Sequence, residues 1–137
     1  MIYITRKEHF CASHKLYVKE WSEEKNREIF GKCSNPNGHG HNYSIYVTVK
    51  GEIDSQTGFL VNLKIISKLI CDYVLDKIDH KDFNSDVEFM KGLIPTTENI
   101  TKKLWDNLEG PINELSCQLH CVKLQETENN YAEYYGE

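Results

Sequence analysis

Residues 39–52 of this 137-residue chain read HGHNYSIYVTVKGE, and this stretch is the most informative part of the sequence. From residue 43 onward apolar side chains recur at every second position, namely Tyr43, Ile45, Val47 and Val49. A period of two predicts a β-strand with one buried face. His39 and His41 lie two residues apart on this strand, so both imidazoles leave the same face and can reach one metal ion.

A third histidine and a thiol lie close to this pair in the predicted fold. His14 closes another candidate strand that begins at Ile2, and Cys33 precedes His39 by six residues. Three imidazoles with an open fourth position are typical of catalytic zinc. Two other interpretations stay open from the residues alone. Histidine pairs on strands are more often packed or exposed without a metal, and Cys33 as a fourth ligand would make a closed structural zinc site.

Composition limits the kind of protein. A formal net charge of -5 gives no overall basic field for nucleic acid, and no apolar run is long enough to span a membrane. The five cysteines, an odd number, show no CxxC pairing. We therefore expect one domain covering residues 1–137, in the reducing cytoplasm, with no nucleic-acid or membrane partner.

The remaining elements follow from caps and periodicity. Residues 19–30 predict a short surface helix capped by Ser22 and stopped by Gly31. The turn at residues 54–58 returns the chain into residues 59–61, which we expect to pair with the second strand as a hairpin. Asn62 caps a helix whose apolar residues are three and four apart, and a second helix opens at residues 95–99 and ends at Gly110-Pro111.

Two strands complete the predicted order, at residues 115–126 and 131–135. In the first of them, alternation puts Cys117, Leu119 and Cys121 on one face and Val122 and Leu124 on the other. The resulting order predicts an α+β fold, a four-stranded antiparallel sheet with two helices on one face.

Six blocks of sequence, in this order along the chain, carry a resemblance to a known family. They are residues 12–14, 31–43 (GKCSNPNGHGHNY), 51–54, 75–80, 96–99 (TTEN) and 126–130 (ETENN). Together they resemble the 6-pyruvoyltetrahydropterin synthase family and span nearly the whole chain. The resemblance implies the tunnelling fold, in which the sheets of three subunits close a barrel and two trimers stack as a homohexamer.

The resemblance also implies roles for individual residues. His14, His39 and His41 match the zinc ligands, and Cys33 matches the catalytic cysteine. Asp79 and His80 match a pair that activates this cysteine across a subunit boundary. Glu126 matches the pterin anchor, and Thr96 and Thr97 match the segment lining the pterin pocket. Without the resemblance, the favoured interpretations are a solvated loop pair at 79–80, a solvated glutamate at 126 and a helix cap at 96 or 97.

The implied reaction converts 7,8-dihydroneopterin triphosphate to 6-pyruvoyltetrahydropterin with loss of inorganic triphosphate. An alternative within the same fold is 6-carboxytetrahydropterin synthase, whose cysteine tends to lie closer to the histidine pair than the five-residue gap between Cys33 and His39. A non-catalytic oligomer stabilised by zinc is the alternative of another class. The chain departs from the family pattern at Cys11, where a small hydroxyl residue is usual, and at Lys15, where arginine is frequent.

Overall fold

Two long antiparallel strands form the centre of the computed structural model, which describes residues 1–137. Strand β1 (Ile2–His14) pairs with strand β2 (His39–Gly51) along the full length of both. The register places Ile2 opposite Gly51 and His14 opposite His39. The two strands therefore bring their histidines to the same end of the sheet.

The sheet has five strands rather than the predicted four. Strand β4 (Gln118–Gln125) pairs with β2, and β5 (Tyr131–Tyr134) pairs with β4, both antiparallel. Strand β3 (Lys81–Asp82) pairs with β1 in parallel, so the order is β3-β1-β2-β4-β5. The prediction of a purely antiparallel, four-stranded sheet is wrong in this respect. A two-residue strand is too short to produce an alternation in the sequence.

Helices cover one face of the sheet. Helix α2 (Leu63–Ile70) continues through a π-helical segment (Cys71–Leu75) into α3 (Asp76–Ile78), and α4 (Thr97–Asn113) packs beside it. Residues from these helices join β2 and β4 in one hydrophobic core, including Ile66, Ile70, Val74, Ile100, Leu104 and Leu108. Helix α1 (Glu23–Phe30) lies apart from this layer. Its predicted cap is confirmed, because the Ser22 hydroxyl accepts a hydrogen bond from Lys25 N at 3.1 Å.

One predicted strand and one predicted helix end are wrong. Residues 59–61 form no strand, and the Asp54 carboxylate accepts hydrogen bonds from Gln56 N and Thr57 N within the preceding turn. Leu60 and Val61 are instead buried as a coil segment. Gly110 and Pro111 do not end the last helix, which runs to Asn113. Burial of Ile112 in the core holds this final turn in place.

The predicted faces of β4 also need correction. Cys121 lies opposite Thr48 and Leu119 lies opposite Val49, so His120 is an extra residue in a bulge. The bulge turns Leu119 to the core face together with Val122 and Leu124, while Cys121 lies outside the core cluster. A bulge of one residue reverses the faces on its two sides, and strict alternation cannot detect it.

No helix of the structure combines the length and the apolar character needed to cross a membrane.

Candidate active site

Three histidines meet where β1 ends and β2 begins. His14 is the last residue of β1 and faces His39 across the ladder, while His41 follows on the same face of β2. One nitrogen from each ring lies within 4.8 Å of the others, and the Nε2 atoms of His14 and His39 are 3.2 Å apart. The structure thus brings together the three residues that the sequence predicted as ligands of one metal ion.

Hydrogen bonding fixes the orientation of His14. Its Nδ1 lies 2.8 Å from the carbonyl oxygen of Pro95, which can only accept, so Nδ1 carries the proton. The lone pair of Nε2 is therefore directed toward His39. A ligating histidine typically has this kind of partner on its other nitrogen. The role of Pro95 could not be predicted, since nothing in a sequence reports a contact with a backbone carbonyl that is distant along the chain.

The environment favours neutral imidazoles, the form that binds metals. Burial lowers the pKa of His39, and the neighbouring His14 lowers it further, while Glu126 acts in the opposite direction. Burial also lowers the pKa of His41, again partly offset by Glu126. Nε2 of His41 is buried without a hydrogen-bond partner. An unpartnered buried nitrogen is costly unless an ion or ligand satisfies it.

The donor set fits zinc. Two nitrogens bound at about 2.0–2.1 Å to a tetrahedral ion lie roughly 3.3–3.4 Å apart. The observed Nε2–Nε2 distance of 3.2 Å between His14 and His39 is close to this value. Three neutral imidazoles leave one coordination position for water or substrate.

Cys33 does not join the histidine cluster. It occupies a 3₁₀ turn (Gly31–Ser34) after α1, and its carbonyl accepts a hydrogen bond from Leu16 N at 2.8 Å. This bond ties the turn to the segment that follows His14. The cluster of mutually close ligand atoms contains the three histidines and no thiol, which disfavours the closed four-ligand site. The thiol is half-buried and free.

Glu126 borders the histidine cluster. Its two carboxylate oxygens lie 3.7 Å from His41 Nε2 and 3.9 Å from His14 Nε2. The hydroxyl of Thr97, at the start of α4, donates a hydrogen bond to the Glu126 carboxylate at 2.7 Å. Glu126 follows directly after β4 and is held by a backbone hydrogen bond to the Asn130 carbonyl. The glutamate is therefore positioned by two separate elements.

The two threonines have different roles in the structure. The Thr96 hydroxyl accepts a hydrogen bond from Asn99 N at 3.1 Å and caps α4. Thr97 is the one that contacts Glu126. Both line a cavity of about 370 Å³ together with Glu126, Leu16 and Phe30. The cavity leaves room for a ring-sized ligand beside the carboxylate.

Asp79 and His80 form a pair that is separate from Cys33 within one chain. Asp79 Oδ1 lies 2.9 Å from His80 Nδ1, and the His80 side chain is 79% exposed. No hydrogen bond links either residue to Cys33. The pair instead lies beside β1, and His80 lines a cavity of about 500 Å³ that also reaches Gly40 and His41. The structure therefore keeps the two predicted parts of the catalytic machinery apart in the single subunit.

Tyr43 is a further polar group, which the alternation of β2 predicts only as a core residue. Its ring stacks on Phe10 with 4.8 Å between centroids and meets the edge of His41 at 5.6 Å. Its hydroxyl is buried without a partner. Burial raises the pKa of Tyr43, and the nearby Glu126 and Cys33 raise it further, so the phenol stays protonated as a donor. Alternation in a strand cannot distinguish such a tyrosine from an apolar core residue.

Comparison with known proteins places the chain in a family. The sequence model described as 6-pyruvoyl tetrahydropterin synthase matches residues 3–137. The 6-pyruvoyl tetrahydrobiopterin synthase of Pongo abelii is 46% identical over 136 residues, covering 98% of this chain and 91% of that protein. The solved structure of the 6-pyruvoyl tetrahydropterin synthase of Caenorhabditis elegans is 36% identical in sequence and has a TM-score of 0.86. The match covers 99% of this chain and 96% of that chain.

A more distant relative is the 6-carboxy-5,6,7,8-tetrahydropterin synthase of Bacillus subtilis, 35% identical over 113 residues that cover 79% of this chain and 73% of that protein. The match to the 6-pyruvoyl synthases is both longer and closer in sequence. With the family model covering all but the first two residues, this chain belongs to the 6-pyruvoyl tetrahydropterin synthase family.

Proposed function

We propose that this protein is a zinc-dependent 6-pyruvoyltetrahydropterin synthase of tetrahydrobiopterin biosynthesis. It converts 7,8-dihydroneopterin triphosphate to 6-pyruvoyltetrahydropterin and inorganic triphosphate. The observation that carries the proposal is the cluster of His14, His39 and His41, with the carboxylate of Glu126 within 4 Å of two of these rings. The reaction needs no external redox cofactor, since oxidation of the two side-chain hydroxyl carbons is balanced by reduction of the ring imine and of the terminal carbon, which becomes a methyl group as triphosphate leaves.

His14, His39 and His41 would hold the zinc ion. When bound, zinc supplies Lewis acidity that makes the hydrogens on the carbons beside the substrate's side-chain oxygens easier to remove. The hydrogen bond from His14 Nδ1 to Pro95 keeps its ring in a single orientation. The open coordination position is the feature that separates this arrangement from a purely structural site.

Cys33 would move the side-chain protons. A thiol becomes an effective base as the thiolate, which a neighbouring imidazolium stabilises. His80, oriented by Asp79 at 2.9 Å, can provide that imidazolium. Because the two residues do not contact Cys33 within one chain, we propose that His80 acts on Cys33 of a neighbouring subunit.

This requirement leads to an assembly. We propose a homohexamer of two trimers, in which the sheets of three subunits close a barrel. Exposed apolar side chains on and beside the sheet edges support this, among them Ile2, Tyr3, Tyr131 and Tyr135. Closure of a barrel covers such edges. We take residues 1–137 as one catalytic domain and propose a cytoplasmic location, where the five free cysteines stay reduced.

Glu126 would anchor the pterin ring. A pterin presents an amino group and an adjacent ring N–H in a fork, and one carboxylate can accept both hydrogen bonds. The Thr97 hydroxyl at 2.7 Å fixes the carboxylate beside the 370 Å³ cavity. Glu126 would then hold the ring, while zinc and Cys33 act on its side chain.

The proposed function is tested by removing and restoring the metal. Chelation should stop triphosphate release from 7,8-dihydroneopterin triphosphate, and one equivalent of zinc per chain should restore it. Release that continues from protein shown by metal analysis to be zinc-free would contradict the proposal.

Replacing Glu126 with glutamine should weaken binding of 7,8-dihydroneopterin by at least about tenfold, because a charge-assisted hydrogen bond contributes roughly 1.5–3 kcal/mol. Isothermal titration calorimetry with this triphosphate-free pterin measures the ring contact without turnover. Glu128→Gln is the matched control, since Glu128 is exposed two residues away. Unchanged affinity in a zinc-loaded Glu126→Gln protein would exclude Glu126 as the anchor.

Mixing inactive Cys33→Ala and His80→Ala proteins under subunit exchange should regenerate activity. If each site takes Cys33 from one subunit and His80 from its neighbour, random mixing leaves about one site in four intact. A mixture of Cys33→Ala with the double variant Cys33→Ala/His80→Ala should stay inactive. Failure of the first mixture to recover, despite proven exchange, would place both residues in sites of a single chain.

The second candidate is 6-carboxytetrahydropterin synthase, favoured by the likeness to the Bacillus subtilis protein. Zinc, Cys33 and Glu126 could serve that reaction too, so only the product separates the two. A non-catalytic, zinc-stabilised oligomer would explain the histidines but leave Glu126 and the cavity beside it without a purpose.

A further inference from the structure

We propose that Cys11, Asp79 and His80 form a second metal site, which binds a soft divalent cation such as Zn²⁺ and inhibits the enzyme when filled. The thiol of Cys11, a carboxylate oxygen of Asp79 and a ring nitrogen of His80 all lie within 4.8 Å of one another. They are separate from the three-histidine cluster. Cys11 and His14 lie three residues apart on β1, so their side chains leave opposite faces.

The backbone builds this group of side chains. Cys11 N donates a hydrogen bond to Asp79 Oδ1 at 3.1 Å, and the Cys11 carbonyl accepts one from His80 N at 2.7 Å. His80 has a φ of 61°, the only positive φ of a residue other than glycine in the chain. Residues other than glycine adopt this left-handed conformation uncommonly, and histidine is among those that do so more often. The loop is then fixed by β3, where Lys81 pairs with Ala12.

The donors suit zinc better than a hard cation. Thiolate and imidazole nitrogen are preferred by zinc, at about 2.3 and 2.0–2.1 Å, and a carboxylate oxygen can complete three protein ligands. The donors lie within 4.8 Å of one another, farther apart than in a closed site, and rotation of the His80 side chain would bring its ring toward the other two. The carboxylates of Asp82 and Asp86 line the same cavity and add negative charge.

Inhibition follows from the residues that the cation would use. A ring nitrogen that binds a metal can no longer exchange a proton, and a bound carboxylate can no longer orient the ring. This consequence rests on the proposed function, in which Asp79 and His80 activate Cys33. The binding of the metal does not rest on it. One zinc ion would therefore support turnover and a second would suppress it.

Binding is tested by titrating zinc-loaded protein with Co²⁺ and recording the near-ultraviolet charge-transfer absorption that marks a thiolate ligand. We expect a further equivalent of Co²⁺ with this band in the wild type and in the matched control Cys33→Ser. Cys11→Ser, which replaces one atom, and His80→Ala should both lose the band. A band that survives in Cys11→Ser, or no further equivalent bound by the wild type, would overturn the site.

Inhibition is tested with excess Zn²⁺ in the triphosphate-release assay. Cys11 lies outside the catalytic machinery, so Cys11→Ser should turn over at the wild-type rate without added metal. Excess Zn²⁺ should abolish turnover of the wild type and spare Cys11→Ser. Equal inhibition of both proteins would overturn the inhibitory role. If neither protein releases triphosphate under any condition, the proposed function fails, while the cobalt band still reports on the site.

Discussion

Replacing Cys33 with alanine is expected to lower kcat by about 10²–10⁴-fold, the contribution typical of a group that transfers protons. Zinc content should stay at one ion per chain, because the thiol lies outside the histidine cluster. Steady-state kinetics and metal analysis of the same preparation measure both quantities.

Cys71→Ala is the matched control for this variant. Cys71 is also a partly exposed free cysteine, but it lies in the π-helical segment, away from the histidines. Its replacement should leave kcat and zinc content unchanged. Loss of zinc from the Cys33→Ala protein would show that the site is a closed structural one and would refute the assigned role of the thiol.

Replacing His39 with alanine should remove zinc and turnover together. Mutating a residue that hydrogen-bonds to a metal ligand already lowers metal affinity by about 10–100-fold. Removing a ligand itself should therefore lower the affinity by at least about 100-fold. Nε2 of His39 lies 3.2 Å from Nε2 of His14 across the strand pair. The cluster contains no fourth imidazole that could substitute for His39. A competition titration with a chromophoric chelator measures the affinity.

His9→Ala provides the comparison for His39→Ala. His9 is on β1 opposite Ser44, on the face of the sheet away from the core, and belongs to no cluster of ligands. This variant should bind zinc and turn over as the wild type does. Equal zinc affinity in His39→Ala and wild type would exclude the three-histidine site, provided that circular dichroism shows both proteins folded.

Much of the fold could be predicted because its main signals are local. The alternation after His41 identified β2, and the side chains of Ser22 and Asn62 identified two helix starts that the structure confirms. The errors arose where a tertiary contact outweighed the local signal. Helix α4 continues past Pro111 because Ile112 is buried in the core. A bulge at His120 puts Leu119 on the same face as Val122 and Leu124, where strict alternation predicts the opposite face.

The residues of the candidate site likewise fall into some that local signals could predict and others that they could not. His39 and His41 could be paired from strand geometry alone, since their spacing fixes their common face. Glu126 and Thr97 meet from the end of one strand and the start of a helix, 29 positions apart in the chain. No periodicity reports such a contact, so only the family resemblance singled out Glu126. The same holds for Asp79 and His80, whose proposed partner is on another subunit.

The most direct test of the central claim is mass spectrometry of the pterin formed from 7,8-dihydroneopterin triphosphate by the zinc-loaded protein. We expect 6-pyruvoyltetrahydropterin, formed in equal amount with inorganic triphosphate and formed far more slowly when Cys33→Ala replaces the wild type. Formation of 6-carboxytetrahydropterin, or recovery of the substrate unchanged, would contradict the proposed function.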